Sequence, residues 1–173
     1  MHEEFRQNGI GAITGRTGTG KSYWNDLYIR QSVLDNSNTQ KVGLKQLILD
    51  VTEDPHYAKY PIIKWQDIRR QPPRTIYRLV AKYPNGKPFT KEEMTERYYY
   101  LMDTAKSCAL WLEDWNKYAF NTKNTDVLGP LTTARHNGCD IIFCMQNMSK
   151  ITAEIWENIS WYRFHKQNTS VDA

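Results

Sequence analysis

The sequence is poor in the features that mark secreted and membrane proteins. Its 173 residues include only three cysteines, none of them in a CxxC pair. A disulfide framework and a zinc ribbon are therefore excluded, and a reducing, cytoplasmic location is expected. No run approaches the roughly 18 consecutive apolar residues of a transmembrane helix. The first residues, MHEEFRQNG, lack the basic and apolar regions of a secretory signal.

The few cysteines and histidines also argue against a metal centre built from these residue types. We expect Cys108 and Cys144, beside or inside apolar runs, to be small buried residues. The four histidines stand singly along the chain. No grouping of His and Cys therefore predicts a metal site.

The net charge is only +4, but it is unevenly distributed. Segment 64–91 carries eight basic residues against one acid, and its aromatic residues are interleaved with them. This pattern favours a polyanionic partner, with Arg74 and Arg78 as candidate DNA contacts. The alternative is a solvated face balanced by acids elsewhere. Pro72-Pro73 and the turn Pro84-Asn85-Gly86 predict a strand and a hairpin-like excursion here.

Short apolar runs alternate with helical patterns along the chain. The predicted strands are Gly11 to Thr14, Leu47 to Leu49, Ile76 to Val80, Ala109 to Leu112, Ile141 to Met145 and Ser160 to Phe164. The predicted helices are Tyr23 to Leu34, Lys91 to Lys106, Val127 to Asn137 and Thr152 to Glu157. This alternation predicts an α/β fold with a mostly parallel sheet covered on both faces. The length fits a single domain over residues 1–173, with the basic excursion at 64–91.

The most specific motif is a phosphate-binding loop. It follows an apolar strand, opens a helix, and matches G-x-x-x-x-G-K-[ST] in full. Backbone N–H groups of such a loop and the helix N-terminus bind phosphate, Lys21 would reach the β- and γ-phosphates, and Ser22 would bind Mg²⁺. The predicted ATP-binding residues are Gly15, Arg16, Thr17, Gly18, Thr19, Gly20, Lys21, Ser22 and Tyr23.

Hydrolysis would also require acids near Mg²⁺ and near the attacking water. The run CALWL ends in Glu113 and Asp114, as expected of a buried central strand that reaches the phosphate edge. Two adjacent carboxylates would allow one to face the metal and the other the water. The run LIL ends in Asp50, which we expect at the edge of the site. The alternative is that Glu113 and Asp114 merely cap the next turn.

Two further polar residues follow in the segment LTTARHNGCDIIFCMQNM. Gln146 ends the apolar strand of this segment, where its amide could contact both the γ-phosphate and water. It could also be an ordinary buried amide. Arg135 ends a helix and could project into the nucleotide site of a neighbouring subunit, or it could be an ordinary surface arginine.

The order of the motifs GRTGTGKS, LILD, ALWLED and ARHNGCDIIFCMQ resembles that of the FtsK/HerA superfamily of DNA-translocating ATPases, particularly its viral genome-packaging branch. The resemblance covers about residues 9–166. It implies that Lys21 and Ser22 are the Walker A pair, Glu113 and Asp114 the Walker B acids, Gln146 the sensor and Arg135 a trans-acting arginine finger. The family usually has Asp before Glu at Walker B, whereas this chain has Glu before Asp, so the metal ligand and the catalytic base are not distinguished.

The resemblance implies an ATP- and Mg²⁺-dependent motor that forms a homo-oligomeric ring around double-stranded DNA. A capsid portal or vertex protein is an expected partner, with the host cytoplasm as the place of action. Segment 116–125 contains Lys117 and Lys123 without an acid, which fits either a pore loop that grips DNA phosphates or a plain solvent loop. Two alternatives remain. One is a nucleoside or nucleotide kinase; the other is a non-catalytic assembly protein similar in motif to filamentous-phage export ATPases.

Overall fold

The computed structural model describes residues 9–34, 43–114, 128–146 and 153–165. Its strands are β1 (Ile10–Thr14), β2 (Lys45–Asp50), β3 (Ile76–Val80), β4 (Cys108–Leu112), β5 (Asp140–Met145) and β6 (Trp161–Phe164). Its α-helices are α1 (Lys21–Ser32), α2 (Lys91–Thr104), α3 (Leu128–His136) and α4 (Ala153–Asn158). Two short 3₁₀ helices span Pro55–Tyr57 and Trp65–Arg70.

The six strands form one parallel sheet in the order β3-β2-β4-β5-β1-β6. The predicted α/β class is thereby confirmed. Because all strands run in the same direction, their carboxyl ends share one edge of the sheet. The strand β1, which leads into the phosphate-binding loop, lies beside β5, and β5 lies beside β4. The three strand ends that carry the predicted site residues are therefore neighbours.

Alternate residues of β1 to β5 enter two separate cores. Leu47, Leu49 and Leu110 point to the face covered by α2, α3 and α4. Ile48 and Trp111 point to the opposite face, covered by α1 and the 3₁₀ helix Pro55–Tyr57. Burial on both faces explains why the strands appear in the sequence as continuous apolar runs. Among the described residues, no helix is both long and apolar enough to span a bilayer.

The three cysteines are buried and unbridged, which confirms the expectation for Cys108 and Cys144. Cys108 is the first residue of β4 and Cys139 lies just before β5, with their sulfur atoms 3.5 Å apart. Burial raises the pKa of the Cys144 thiol well above its usual value. A protonated, enclosed thiol is a packing group, so Cys144 contributes to the core and not to redox chemistry.

The basic segment contains the predicted strand and excursion, and several of its charged side chains form ion pairs or hydrogen bonds within the molecule. After β3 the chain turns at 84–86 and pairs Lys82 with Pro88 in an antiparallel bridge. Lys82 forms an ion pair with Glu53, and Arg69 donates hydrogen bonds to carbonyl groups at the end of α2.

Arg78 is not placed as the DNA contact that the sequence predicted. Its side chain is buried and its Nη1 lies 3.1 Å from Oδ2 of Asp50, which is fully buried. A guanidinium in a buried ion pair is not available to a DNA phosphate, because leaving the pair would strand the Asp50 charge. Arg74 is exposed in the turn before β3 and remains a predicted contact.

Candidate functional site

The phosphate-binding loop adopts the conformation that the motif requires. Gly18 and Gly20 have φ values of 80° and 79°, in the left-handed region that favours glycine. Gly15 is required for a different reason, since a Cβ there would lie 2.6 Å from Cβ of His165 and 2.8 Å from Oγ1 of Thr19. The loop is anchored by a 3.1 Å hydrogen bond from the Gly15 N–H to the Met145 carbonyl at the end of β5.

The helix that follows the loop begins in a way that suits an anion. At α2, Thr90 and Glu93 form a capping box that satisfies the first N–H groups. At α1, by contrast, Gly20 supplies no side-chain cap and the first turn contains no acid. Uncapped N–H groups and the positive end of the helix dipole favour a bound phosphate. The loop and the helix N-terminus together are therefore suited to hold a nucleotide's phosphates.

The structure brings Lys21 and Glu113 together, as the motif order predicts. Lys21 Nζ lies 3.3 Å from Oε2 of Glu113, and both side chains are nearly fully buried. Burial opposes the charge of Lys21, but the nearby carboxylates of Glu113 and Asp114 outweigh it and raise the pKa of the lysine. Lys21 is thus a fixed cation at the mouth of the loop.

Glu113 is held by two further donors that the sequence analysis did not single out. Asn25 Nδ2 lies 2.9 Å from Oε1 of Glu113, and the Tyr57 hydroxyl donates to the same oxygen. Asn25 follows Lys21 by one helical turn, which is the signal that could have identified it. Tyr57 gives no such signal, because only the path of the chain across α1 brings it to β4.

Asp114 and Gln146 meet on the exposed side of the site. Gln146 Nε2 lies 3.3 Å from Oδ1 of Asp114, and Gln146 is exposed at the end of β5. Asp114 has a φ of 48°, a left-handed conformation that Asp tolerates better than most residues. The two adjacent Walker-type acids are thus divided: Glu113 is directed to Lys21, and Asp114 to Gln146.

Asp50, the other candidate acid from the sequence, forms an ion pair and a hydrogen bond with residues outside the phosphate-binding loop. Besides pairing with Arg78, it accepts a 2.9 Å hydrogen bond from the Asp54 backbone N–H. Burial opposes ionisation of the nearby Asp54 carboxyl, but interactions with Ser22 and His56 outweigh it and lower the pKa of that carboxyl. Asp54 was not predicted, although an Asp-Pro step after a strand is a usual start of a helical turn.

His165 is a second residue that the sequence analysis did not place in the site. It follows β6 at the carboxyl edge, and its backbone N–H donates to the Thr14 carbonyl over 2.7 Å. Burial, Arg163 and Lys21 lower the pKa of its ring, so it is neutral at pH 7. Its Nε2 is buried and has no partner among the described residues. The strand-end rule, applied to β6, would have identified it.

The remaining predicted residues either lie away from the loop, lie outside the described residues or are largely exposed. Arg135 is exposed near the end of α3, two residues before the turn that enters β5 at the amino edge of the sheet. Lys117 and Lys123 lie outside the described residues. Tyr23 is half exposed at the start of α1. Within the described ranges, no three His, Cys, Asp or Glu residues are arranged to hold a metal ion by themselves.

The fold is similar to that of known nucleotide-binding proteins. The genome-packaging NTPase B204 of Sulfolobus turreted icosahedral virus 2, in complex with AMP, aligns with a TM-score of 0.64 at 16% identity, over 95% of this chain and 78% of that chain. The same NTPase in complex with ATP-γS aligns with a TM-score of 0.63 at 16% identity, over 95% and 77% of the two chains. The chain has a P-loop NTPase fold.

Two further comparisons concern zonular occludens toxin. The N-terminal domain of zonular occludens toxin from Neisseria meningitidis aligns with a TM-score of 0.50 at 15% identity, over 95% of this chain and 80% of that one. The family model described as zonular occludens toxin (Zot) matches residues 90–172, from α2 onward. No curated protein sequence matches the chain significantly.

Proposed function

We propose that this chain is a Mg²⁺-dependent ATPase related to the Zot and genome-packaging NTPases, and that it uses ATP hydrolysis to translocate double-stranded DNA. The observation that carries the proposal is the convergence of four residues at one sheet edge. Lys21 contacts Glu113, and Asp114 contacts Gln146, beside a loop built to bind phosphate. Phosphoryl transfer to water requires a cation that binds the phosphates, an acid on the metal side of the site and polar groups that orient the water.

The geometry favours different roles for the two acids. Both oxygens of Glu113 are occupied, by Lys21, Asn25 and Tyr57, so Glu113 is suited to orient the loop lysine and the metal side of the site. Asp114 is more exposed than Glu113, and its Oδ1 accepts a hydrogen bond from Nε2 of Gln146. We therefore assign the orientation of the attacking water to Asp114 and contact with the γ-phosphate to Gln146.

Oxygen donors near the loop fit Mg²⁺, which binds proteins through one or two carboxylates or hydroxyls together with substrate phosphates. When bound, Mg²⁺ neutralises charge shared by the β- and γ-phosphates. Ser22 would hold it, with Glu113 nearby.

A second candidate is a nucleotide-dependent assembly or export protein that binds ATP with negligible hydrolysis. The Zot match over residues 90–172 favours retaining it, because that family is not named for packaging. The nucleoside or nucleotide kinase alternative gains no comparable support. Its lid would have to come from the basic segment, where Arg78 is buried and Lys82 is paired.

The test is steady-state ATP hydrolysis by the purified chain, with and without double-stranded DNA. We expect DNA to stimulate hydrolysis and Lys21→Ala to abolish it, while Lys106→Ala, an exposed lysine before β4, serves as the matched control. Stimulation by nucleosides but not by DNA would favour the kinase. ATP-induced oligomerisation with negligible hydrolysis would favour the assembly protein.

A further inference from the structure

The two carboxylate oxygens of Glu113 have different partners. Oε1 accepts a 2.9 Å hydrogen bond from Nδ2 of Asn25 and a second hydrogen bond from the hydroxyl of Tyr57. Oε2 lies 3.3 Å from Nζ of Lys21. The partners of Oε1 are neutral side chains outside the phosphate-binding loop, whereas the partner of Oε2 is the lysine of the loop itself. One oxygen is therefore held by neighbouring elements and the other is directed to the loop.

The donors of Oε1 come from two elements and are enclosed. Asn25 lies on α1, one helical turn after Lys21, and Tyr57 ends the 3₁₀ helix Pro55–Tyr57. Both side chains are fully buried, and Glu113 is only 4% exposed. A buried carboxylate needs hydrogen bonds in place of the water that it has lost. Two neutral donors supply them here without the help of the loop lysine.

The amide of Asn25 is oriented to suit Glu113. Its Nδ2 also lies 3.2 Å from Sγ of Cys144, whereas its Oδ1 is buried and has no partner among the described residues. An unpaired buried acceptor is costly. The opposite orientation would place Oδ1 against Oε1 of Glu113, and two acceptors cannot form a hydrogen bond. Asn25 thus donates to the carboxylate while its own oxygen stays unpaired.

Tyr57 is also fixed by the segment that follows it. Lys59 Nζ lies 2.6 Å from Oδ2 of Asp26 on α1, and the Tyr60 hydroxyl lies 2.5 Å from Oδ1 of the same residue. These two contacts fasten the 3₁₀ helix to α1, the helix that also carries Asn25. The two donors of Oε1 are therefore held relative to each other by contacts outside the site.

Lys21 is shared between Glu113 and the phosphates that the loop is suited to bind. A lysine ammonium has three donors, and the lysine of this motif reaches the β- and γ-phosphates. As those phosphates attract Lys21, its contact with Oε2 weakens. A buried carboxylate that depended on this contact alone would then lose its partner. The donors of Oε1 prevent this, because they hold Glu113 independently of Lys21.

We propose that Asn25 and Tyr57 are positioning residues: they fix Oε1 of Glu113, so that Oε2 stays directed to the metal side of the site when the phosphates engage Lys21. This inference rests on the proposed function of the same site. Both side chains act through Glu113. Their effect is expected in the dependence of nucleotide binding on Mg²⁺, and not in the affinity of the loop for phosphates alone.

The experiment measures binding of mant-ATP, a fluorescent ATP analogue, by the full chain over a series of Mg²⁺ concentrations and in EDTA. Tyr57→Phe removes the hydroxyl and keeps the buried ring, and Asn25→Ala removes the other donor. In both variants we expect the Mg²⁺ concentration at half-maximal binding to rise about 10-fold or more, because Glu113 loses a group that orients it. Affinity in EDTA should stay as in the wild type, since the loop is unchanged.

The matched control is Tyr60→Phe, which removes another tyrosine hydroxyl bound to a carboxylate in the same segment, but at Asp26. It should keep the wild-type Mg²⁺ dependence. If the wild type binds no nucleotide under any condition, the proposed function fails. If it binds nucleotide, the positioning assignment alone is overturned by any of three results: wild-type Mg²⁺ dependence in Tyr57→Phe, an equal shift in Tyr60→Phe, or an equal loss of affinity in EDTA.

Discussion

At the scale of residues, the candidate site separates two adjacent carboxylates by their surroundings. Glu113 is buried among three donors, whereas Asp114 is partly exposed and bends toward Gln146. Removing the charge of Glu113 would leave the buried Lys21 ammonium without its partner, which is costly in a poorly solvated position. Removing the charge of Asp114 would leave the loop, Lys21 and the helix N-terminus intact.

Substituting each acid by its amide should therefore give different results. For Asp114→Asn we expect the kcat for ATP hydrolysis to fall about 10²- to 10⁴-fold while nucleotide affinity stays within a few fold, because only water activation is lost. For Glu113→Gln we expect weaker binding of Mg²⁺-ATP as well as slower hydrolysis. Kinetics and equilibrium binding on the same preparations separate the two effects. The assignment is reversed if Glu113→Gln binds normally without hydrolysing and Asp114→Asn hydrolyses at the wild-type rate.

The residues that sequence reasoning found and missed differ in how they reach the site. Lys21, Glu113 and Gln146 lie at or directly after the ends of strands or in the loop, so the rule that parallel strands end at one edge was enough to group them. Tyr57 reaches it from a short 3₁₀ helix that contacts α1. The position of this segment depends on contacts with Asp26 and Glu113, which local pattern does not encode.

At the scale of elements, the β1–β6 pairing depends on the absence of a side chain at Gly11. Gly11 is opposite Trp161 in the parallel register, and a Cβ added to Gly11 would lie 2.1 Å from Cζ2 of the Trp161 ring. β6 is the last strand of the sheet and leads directly to His165 beside the loop. The small residue in β1 thus allows an indole ring to cover the strand next to the site.

Gly11→Ala should displace the Trp161 ring and weaken the pairing of β6. We expect the free energy of unfolding to fall by about 1–3 kcal/mol, the usual cost of overpacking a close contact. Gly129→Ala is the matched control, since nothing lies within 4 Å of a Cβ there. It should leave stability unchanged or raise it by up to about 1 kcal/mol. Urea unfolding of the two variants measures both values, and equal stabilities would contradict the packing argument.

The elements themselves were largely predictable because each buried strand is a short apolar run bounded by polar residues. β3 was predicted at its observed limits, and β1, β4, β5 and β6 to within one residue, whereas β2 extends at both ends to include Lys45, Gln46 and Asp50. These three polar residues are buried because each has a partner: the Ile68 carbonyl, Trp111 Nε1 and Arg78 respectively. Composition cannot reveal partners that are distant along the chain.

At the scale of the whole molecule, the two edges of the sheet carry different parts of the proposed machinery. Lys21, Glu113, Asp114 and Gln146 lie at the carboxyl edge. Arg135 lies near the end of α3, beside the turn that leads to the amino edge. An arginine at that position could assist hydrolysis only at the site of another copy of the chain. The proposed ring supplies such a copy, because a head-to-tail interface places different surfaces of two subunits against each other.

Mixing two inactive variants tests this arrangement. Arg135→Ala keeps an intact loop, and Lys21→Ala keeps an intact arginine. An interface in which the loop of the first variant faces the arginine of the second variant therefore contains both functional parts. In an equimolar random mixture about a quarter of the interfaces meet this condition in a head-to-tail ring. We expect DNA-stimulated hydrolysis to return to a corresponding fraction of the wild-type rate, while each variant alone stays inactive. Arg70→Ala, which alters an exposed arginine paired with Asp67, should remain active throughout. No recovery in mixed rings of proven composition would show that Arg135 does not act between subunits.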